Sequence, residues 1–323
     1  MFRHRLGTKM ILGVLTGAAL LFSSINIRAE RPAKNQDPAA QAGGRDVTIP
    51  VTIEKKNNKE RAAAGGLKAD DFSIREKDRP QTIVSVTSAA QAPPIIEILI
   101  QDDLTSRLDN EIRGIKAFIT GLPEGSRIMT GYVTAGTLNV AQTFTTDRQR
   151  AAGSLRIVRG PGSGSPYDPY IELSEALRLF DSQPAGRRVV LFISDGLDTS
   201  HGFWDADPNQ SMDLSRAIRD AQERGVAVFS FFAPGVQTRR VSMATNFGQG
   251  SLDKLTSETG GDAMFEGTTL VTFSPFLKQL QEELDSQYLI TYHSVNIGAG
   301  FRPITVSTEN GVKMLYPKGY WVK

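Results

Sequence analysis

The chain has no cysteine in its 323 residues. That excludes a disulfide framework, thiolate chemistry and attachment of a lipid to a cysteine. Histidine is scarce, three in all, and only His201 and His293 lie beyond the first 29 residues. A catalytic base therefore has few places to come from. No apolar run reaches the ~20 residues that cross a bilayer. Basic residues form no clustered stripe, which argues against a nucleic-acid partner. Phosphate-binding and dinucleotide glycine fingerprints are missing, and Gly160 to Ser165 lacks the lysine a P-loop requires. No G-x-S-x-G nucleophile elbow is present either.

What is present begins with an asymmetry of charge. The formal net charge is +2, but Met1 to Ala29 holds Arg3, Arg5, Lys9 and Arg28 and no acid. Taking those four from the 37 basic residues leaves 33 against 35 acidic ones, net −2. The segment reads as a secretory signal: a basic start, an apolar run from Met10 to Phe22, and Ala29 as the small residue at the cleavage point. An exported protein, periplasmic or extracellular and with no membrane span after cleavage, is the expectation. Residues 30–45, rich in Ala, Gly, Gln and Pro, read as a disordered linker.

From Asp46, Val47, Ile49, Val51 and Ile53 alternate with polar residues, the period of a half-buried strand, and Pro50 favours an edge. Residues 46–91 are read as an N-terminal β segment and 287–323 as a C-terminal β segment that flanks the same core. Between them, residues 92–286 alternate strand and helix, the pattern of a mostly parallel sheet covered on both faces. Two stretches organise this region. Ile95 to Ile100 runs into Gln101, Asp102 and Asp103; Val189 to Ile193 runs into Ser194, Asp195 and Gly196. Short apolar runs of this kind read as strands buried on both faces. Carboxylates at their ends sit at the carboxyl edge of the sheet, where open α/β folds bind ligands. The connection Gly235 to Gly250, with Arg239 and Arg240, is expected to be a long loop before a helix Ser251 to Thr259.

The order of IIEILIQDDLTS, a hairpin, TFTTD, VVLFISDGLD, VAVFSFF and LTSETGGDAMF resembles a von Willebrand factor A (VWA) domain. More narrowly, the flanking Asp71-Phe72…Pro80-Gln81 and Lys318-Gly319-Tyr320 patterns resemble the VWFA-related family of secreted acidobacterial proteins. The resemblance covers roughly residues 46 to 323. It implies a Rossmann-like α/β fold with one antiparallel edge strand, and a metal-ion-dependent adhesion site for Mg²⁺ or Mn²⁺. Matched position by position, Asp102 and Ser106 fall on the first loop of that site and Asp195 on the later aspartate, with Ser163 and Ser165 nearest the threonine place. Leu104 stands where the first serine belongs and cannot coordinate a cation, so the site is degenerate, with Asp103 as a substitute ligand. Asp195 and Asp198 read equally as turn caps, and Thr105 and Ser106 as N-caps of the following helix.

The resemblance implies a non-enzymatic module binding a protein partner. Tyr167, Tyr170, Phe203 and Trp204, on loops beside the edge, are the candidate contact residues, and burial against the core is the competing reading for them. Two alternatives stay open. One is a metal-independent envelope scaffold. The other is a cell-envelope hydrolase built on His201 or on an Asp102–Asp195 carboxylate pair.

Overall fold

The computed structural model describes residues 44–54, 67–134, 136–160, 168–235, 242–296, 298–309 and 311–323. The expected signal, most of the linker, Ser163, Ser165, Tyr167, Arg239 and Arg240 lie outside these residues, as does the side chain of Ser106.

In chain order the first strands are β1 (Arg45–Ile53), β2 (Phe72–Glu76), β3 (Arg79–Pro80), β4 (Thr82–Ser88) and β5 (Pro94–Gln101). Helix α1 (Ile112–Gly121), the hairpin β6 (Arg127–Thr134) and β7 (Thr137–Thr145), and helices α2 (Arg148–Gly153) and α3 (Pro169–Leu179) follow. Next come β8 (Arg187–Ser194), α4 (Met212–Arg224), β9 (Val226–Phe232), α5 (Ser242–Thr259), β10 (Ala263–Met264) and α6 (Ser274–Asp285). The chain closes with β11 (Gln287–Ser294), β12 (Gly300–Thr308), β13 (Met314–Leu315) and β14 (Gly319–Val322).

The fold is α/β. Its central sheet has the order β10-β9-β8-β5-β6-β7, parallel throughout except for the antiparallel edge strand β7. This is the mixed, mostly parallel Rossmann-like sheet that the resemblance implies. Alternation along β5 sends Ile96, Ile98 and Ile100 to one apolar layer and Ile95 and Leu99 to the other. The first layer is completed by α1 and α6, the second by α3, α4 and α5. Burying each such side chain contributes about 1.5–3 kcal/mol, which lets a chain without cysteines rely on its core.

The helix ends follow from local chemistry. Asp147 caps α2, Asp168 caps α3 ahead of Pro169, and Ser211 caps α4, each accepting backbone N–H bonds. Gly225 closes α4 at φ 61°, the left-handed conformation a C-terminal glycine adopts without a Cβ penalty.

One expectation fails here. Helix α5 begins at Ser242, so the expected loop Gly235 to Gly250 is helical over its second half. Its glycines hid it, because glycine weakens a helical pattern. Space explains one of them: a Cβ at Gly248 would overlap the carbonyl oxygen of Asp195. The helix therefore lies directly against the end of β8.

The terminal β segments pair with each other. Strand β1 runs antiparallel to β11, Arg45 opposite Ser294 through Thr52 opposite Gln287, in a sheet of order β13-β1-β11-β4. A second sheet, β14-β12-β2-β3, pairs Phe72–Glu76 with Ile304–Thr308. Both contribute to one apolar cluster, with Ile49, Val51 and Ile290 from the first and Ile74, Val306 and Val322 from the second. Strand β1 is flanked on both sides, but β13 reaches only Thr52 and Ile53. Pro50 is therefore tolerated as it would be on an edge.

Candidate functional site

Strands β5 and β8 are neighbours, in register from Pro94 opposite Arg187 to Ile100 opposite Ile193. Asp102 and Asp195 therefore leave the sheet side by side at its carboxyl edge, and both are buried, at 2% and 5% exposure. Their surroundings differ in kind.

Asp102 faces an arginine. Arg156 donates from Nη1 to Oδ1 at 2.7 Å and from Nη2 to Oδ2 at 2.8 Å, a bidentate pair. The backbone N–H of Arg159 adds a bond to Oδ1 at 3.0 Å, and its Nε lies 3.5 Å from Oδ2. Arg156 is fixed from behind as well. Its guanidinium lies over the Tyr132 ring, 3.8 Å from the centroid, a cation–π contact. The Tyr132 hydroxyl takes the Arg156 N–H and donates to the Arg156 carbonyl, both at 2.7 Å. Burial pushes the Asp102 carboxyl up, but the hydrogen bonds and charges of Arg156 and Arg159 outweigh it and hold the pKa below the ordinary carboxylate value. Arg156 is pushed up, first by its bond to Asp102.

Among the described residues, Asp195 has only neutral donors. Gln101 organises them: its amide nitrogen donates to Asp195 Oδ1 at 3.1 Å and to Asp103 Oδ1 at 2.9 Å. The Gln101 carbonyl oxygen accepts from Ser194 Oγ at 2.6 Å and from the Asp195 N–H at 3.1 Å. The backbone N–H groups of Leu197 and Gly235 complete the set. Burial, then the charge of Asp103, pushes the Asp195 pKa to about 7. Asp103 is raised by burial too. Asp103 is thus coupled to Asp195 through Gln101, while Asp102 turns to Arg156.

Leu104 is fully buried in the apolar layer that α1 covers. Its side chain is used for packing, which accounts for a leucine at this loop position. Thr105 precedes the 3-10 turn Ser106–Asn110 without a side-chain cap, so the expected capping by Thr105 is absent.

Among the aromatics, Tyr170 is fully buried and its hydroxyl donates to the Gly196 carbonyl at 2.7 Å. It therefore offers nothing to a partner surface, a correction to its place among the contact candidates. Its ring fills the layer between α3 and the sheet. Trp204 is 70% exposed. Phe203 is half-buried, edge-on to Trp204 and tilted against Phe247 at centroid distances of 5.6 and 5.7 Å. Met212, at the start of α4, is exposed as well.

A third acidic group lies on the α3–α4 side of the edge. Asp168, Asp198 and Asp213 are all buried, and one carboxylate oxygen from each lies within 4.8 Å of the others. Asp168 Oδ1 caps α3 through the Tyr170 and Ile171 N–H groups, while among the described residues its buried Oδ2 has no hydrogen-bond partner. Asp198 accepts from the Ser200 N–H and Oγ on Oδ1 and from Ser211 Oγ on Oδ2. Asp213 meets Arg216 at 2.9 Å and His201 at 3.2 Å. Burial, then the charge of Asp198, pushes the Asp168 pKa to about 7. His201, the candidate base of a hydrolase, thus leans on Asp213, and Ser200 on Asp198.

Sequence reasoning missed Arg156, Gln101, Asp168 and Asp213. Gln101 was open to discovery, since it ends β5 directly. Arg156 gave no signal, because an arginine after a short helix is an ordinary surface residue until the fold turns it inward.

No protein-family model matches the chain, and no curated protein sequence matches it. Among solved structures the chain is similar to BatB from Bacteroides thetaiotaomicron, at 18% identity and a TM-score of 0.40, covering 59% of this chain and 96% of that one. It is also similar to the VWA domain of SpRpn10, at 16% identity and a TM-score of 0.39, covering 58% and 95%. The manganese-loaded TRAP protein of Plasmodium vivax is similar at 11% identity and a TM-score of 0.40, covering 78% and 100%.

Proposed function

We propose that this protein is an exported, non-enzymatic binding module of the VWA type that meets a protein partner at the carboxyl edge of its sheet without a metal between Asp102 and Asp195. The observation that carries this reading is the bidentate Arg156–Asp102 pair. A guanidinium supplies the positive charge that a cation supplies in an intact adhesion site, and Leu104 is withdrawn into the core. Arg156 thus neutralises Asp102 from within, while Asp195 is held by the neutral Gln101 amide and backbone N–H groups. The contact surface is supported by Trp204, Phe203 and Met212. Aromatics and methionine are enriched at protein interfaces; Phe203 and Trp204 lie on the segment that leaves β8 beyond Asp195, and Met212 opens α4. Among the described residues, no helix is long and apolar enough to cross a membrane. The basic, then apolar start of the chain supports export.

The test is site-specific photocrosslinking from position 204 in the producing cell, with position 116 on α1 as the control. A discrete protein adduct from 204, absent from 116 and retained in Asp195→Asn, is the expected result. Equal labelling from both positions contradicts the proposed face. Loss of the adduct in Asp195→Asn contradicts metal-independent use of the edge.

A further inference from the structure

We infer that Asp168, Asp198 and Asp213 form a binding site for a hard divalent cation of the Ca²⁺, Mg²⁺ or Mn²⁺ class, separate from the strand-end aspartates. Three elements supply it: the N-terminus of α3, the loop after β8, and the first turn of α4. Each carboxylate is positioned by outer partners. The α3 backbone N–H groups hold Asp168 Oδ1, Ser200 and Ser211 hold Asp198, and Arg216 and His201 hold Asp213. Such supports orient a ligand set before the ion arrives.

The observation beyond the clustering itself is Asp168 Oδ2. The residue is 7% exposed, its other oxygen is committed to the helix cap, and among the described residues this oxygen has no donor. A buried carboxylate oxygen left without a partner is costly, and the nearby Asp198 and Asp213 worsen it. A cation removes both penalties at once. Charge balance points the same way. Arg216, half-exposed, offsets Asp213, whereas among the described residues Asp168 and Asp198 receive only neutral donors, so their negative charge is left for a dication. The donors are all carboxylate oxygens, which suits a hard ion. Ligands opposite one another across Ca²⁺ stand about 4.6–5.2 Å apart, so oxygens within 4.8 Å of one another can close on such an ion with little movement.

The experiment is calorimetric titration of Ca²⁺, Mg²⁺ and Mn²⁺, each alone, into the purified chain, with the thermal midpoint followed in parallel. One saturable site and a raised midpoint are expected with at least one of the three. Asp168→Asn is a suitable variant because asparagine caps a helix as well as aspartate does, and Asp213→Asn is the second because Asp213 caps nothing. Each is expected to weaken binding at least about tenfold, while Asp195→Asn leaves it unchanged. Absence of saturable binding up to about 10 mM, above the range of weak extracellular Ca²⁺ modules, overturns the inference. So does binding that survives both Asn variants. Binding lost instead in Asp195→Asn moves the ion to the strand edge and overturns the proposed function as well.

Discussion

Two acidic pockets share one end of this sheet, and they handle negative charge in opposite ways. At the end of β5, Asp102 is paired with an arginine carried by the chain itself. Between α3 and α4, three aspartates crowd together, and among the described residues the one guanidinium beside them, that of Arg216, bonds only Asp213. The lesson is that a carboxylate cluster at a sheet edge does not by itself signal a metal. What matters is whether the fold has already supplied the counter-charge.

The sharpest way to break this comparison is to remove the internal cation. Arg156→Ala leaves Asp102 buried with the Arg159 backbone N–H and the longer, exposed Arg159 Nε contact at 3.5 Å, so a loss of about 3 kcal/mol in denaturant unfolding is expected. Asp102→Asn should cost less, about 1 kcal/mol, because Arg156 is one-third exposed and can reach water. Equal losses would mean that the pair is not what holds Asp102 in place.

The other pocket should respond with the opposite sign. Asp168→Asn keeps the helix cap and removes a charge beside Asp198 and Asp213. An increase in stability of about 1 kcal/mol in chelator is expected, measured by urea unfolding at pH 7. A decrease would show that the three carboxylates are not in conflict.

Smallest, but most specific, is the pH dependence of the two strand-end aspartates. The Asp102 carboxyl is lowered, so its contribution is present above the ordinary carboxylate pKa of about 4 and is lost as the pH falls through its folded value. The Asp195 carboxyl is raised to about 7, so its contribution is present below about 4 and is lost as the pH rises toward 7. Arg156→Ala should therefore flatten the acid limb of stability, and Asp195→Asn the fall between pH 4 and 7. Unfolding curves across pH 2 to 8 check both.

Much of the architecture was legible in the residues. Two buried strands ending in aspartates, the stop of α1 before Pro123 and the Gly225 cap all rest on local rules that the fold obeys. Leu108, Ile112, Ile115, Ile119 and Leu122 recur every three or four residues as one amphipathic stripe, yet the helix begins only at Ile112, because Ser106–Asn110 forms a tighter 3-10 turn. Helix α5 was hidden because Gly248 and Gly250 weaken a helical pattern, and Gly248 serves a contact 53 residues away in sequence, with Asp195. Of the candidate residues, the strand-end aspartates were legible, but their partners, and Asp168 and Asp213, were not. Asp102 meets Arg156, and Asp168 meets Asp198 and Asp213, only through tertiary folding, and no spacing rule announces such pairs. Tyr170 looked like a loop aromatic because Gly, Pro and Ser precede it, yet its position at the start of α3 turns it into the core.

The most direct measurement is anomalous diffraction from crystals of the protein grown with Mn²⁺. The predicted result is no peak between Asp102 and Asp195, with Arg156 still bidentate on Asp102, and a peak among Asp168, Asp198 and Asp213. A peak at the strand-end aspartates with Arg156 displaced would contradict the claim that this edge carries its own cation.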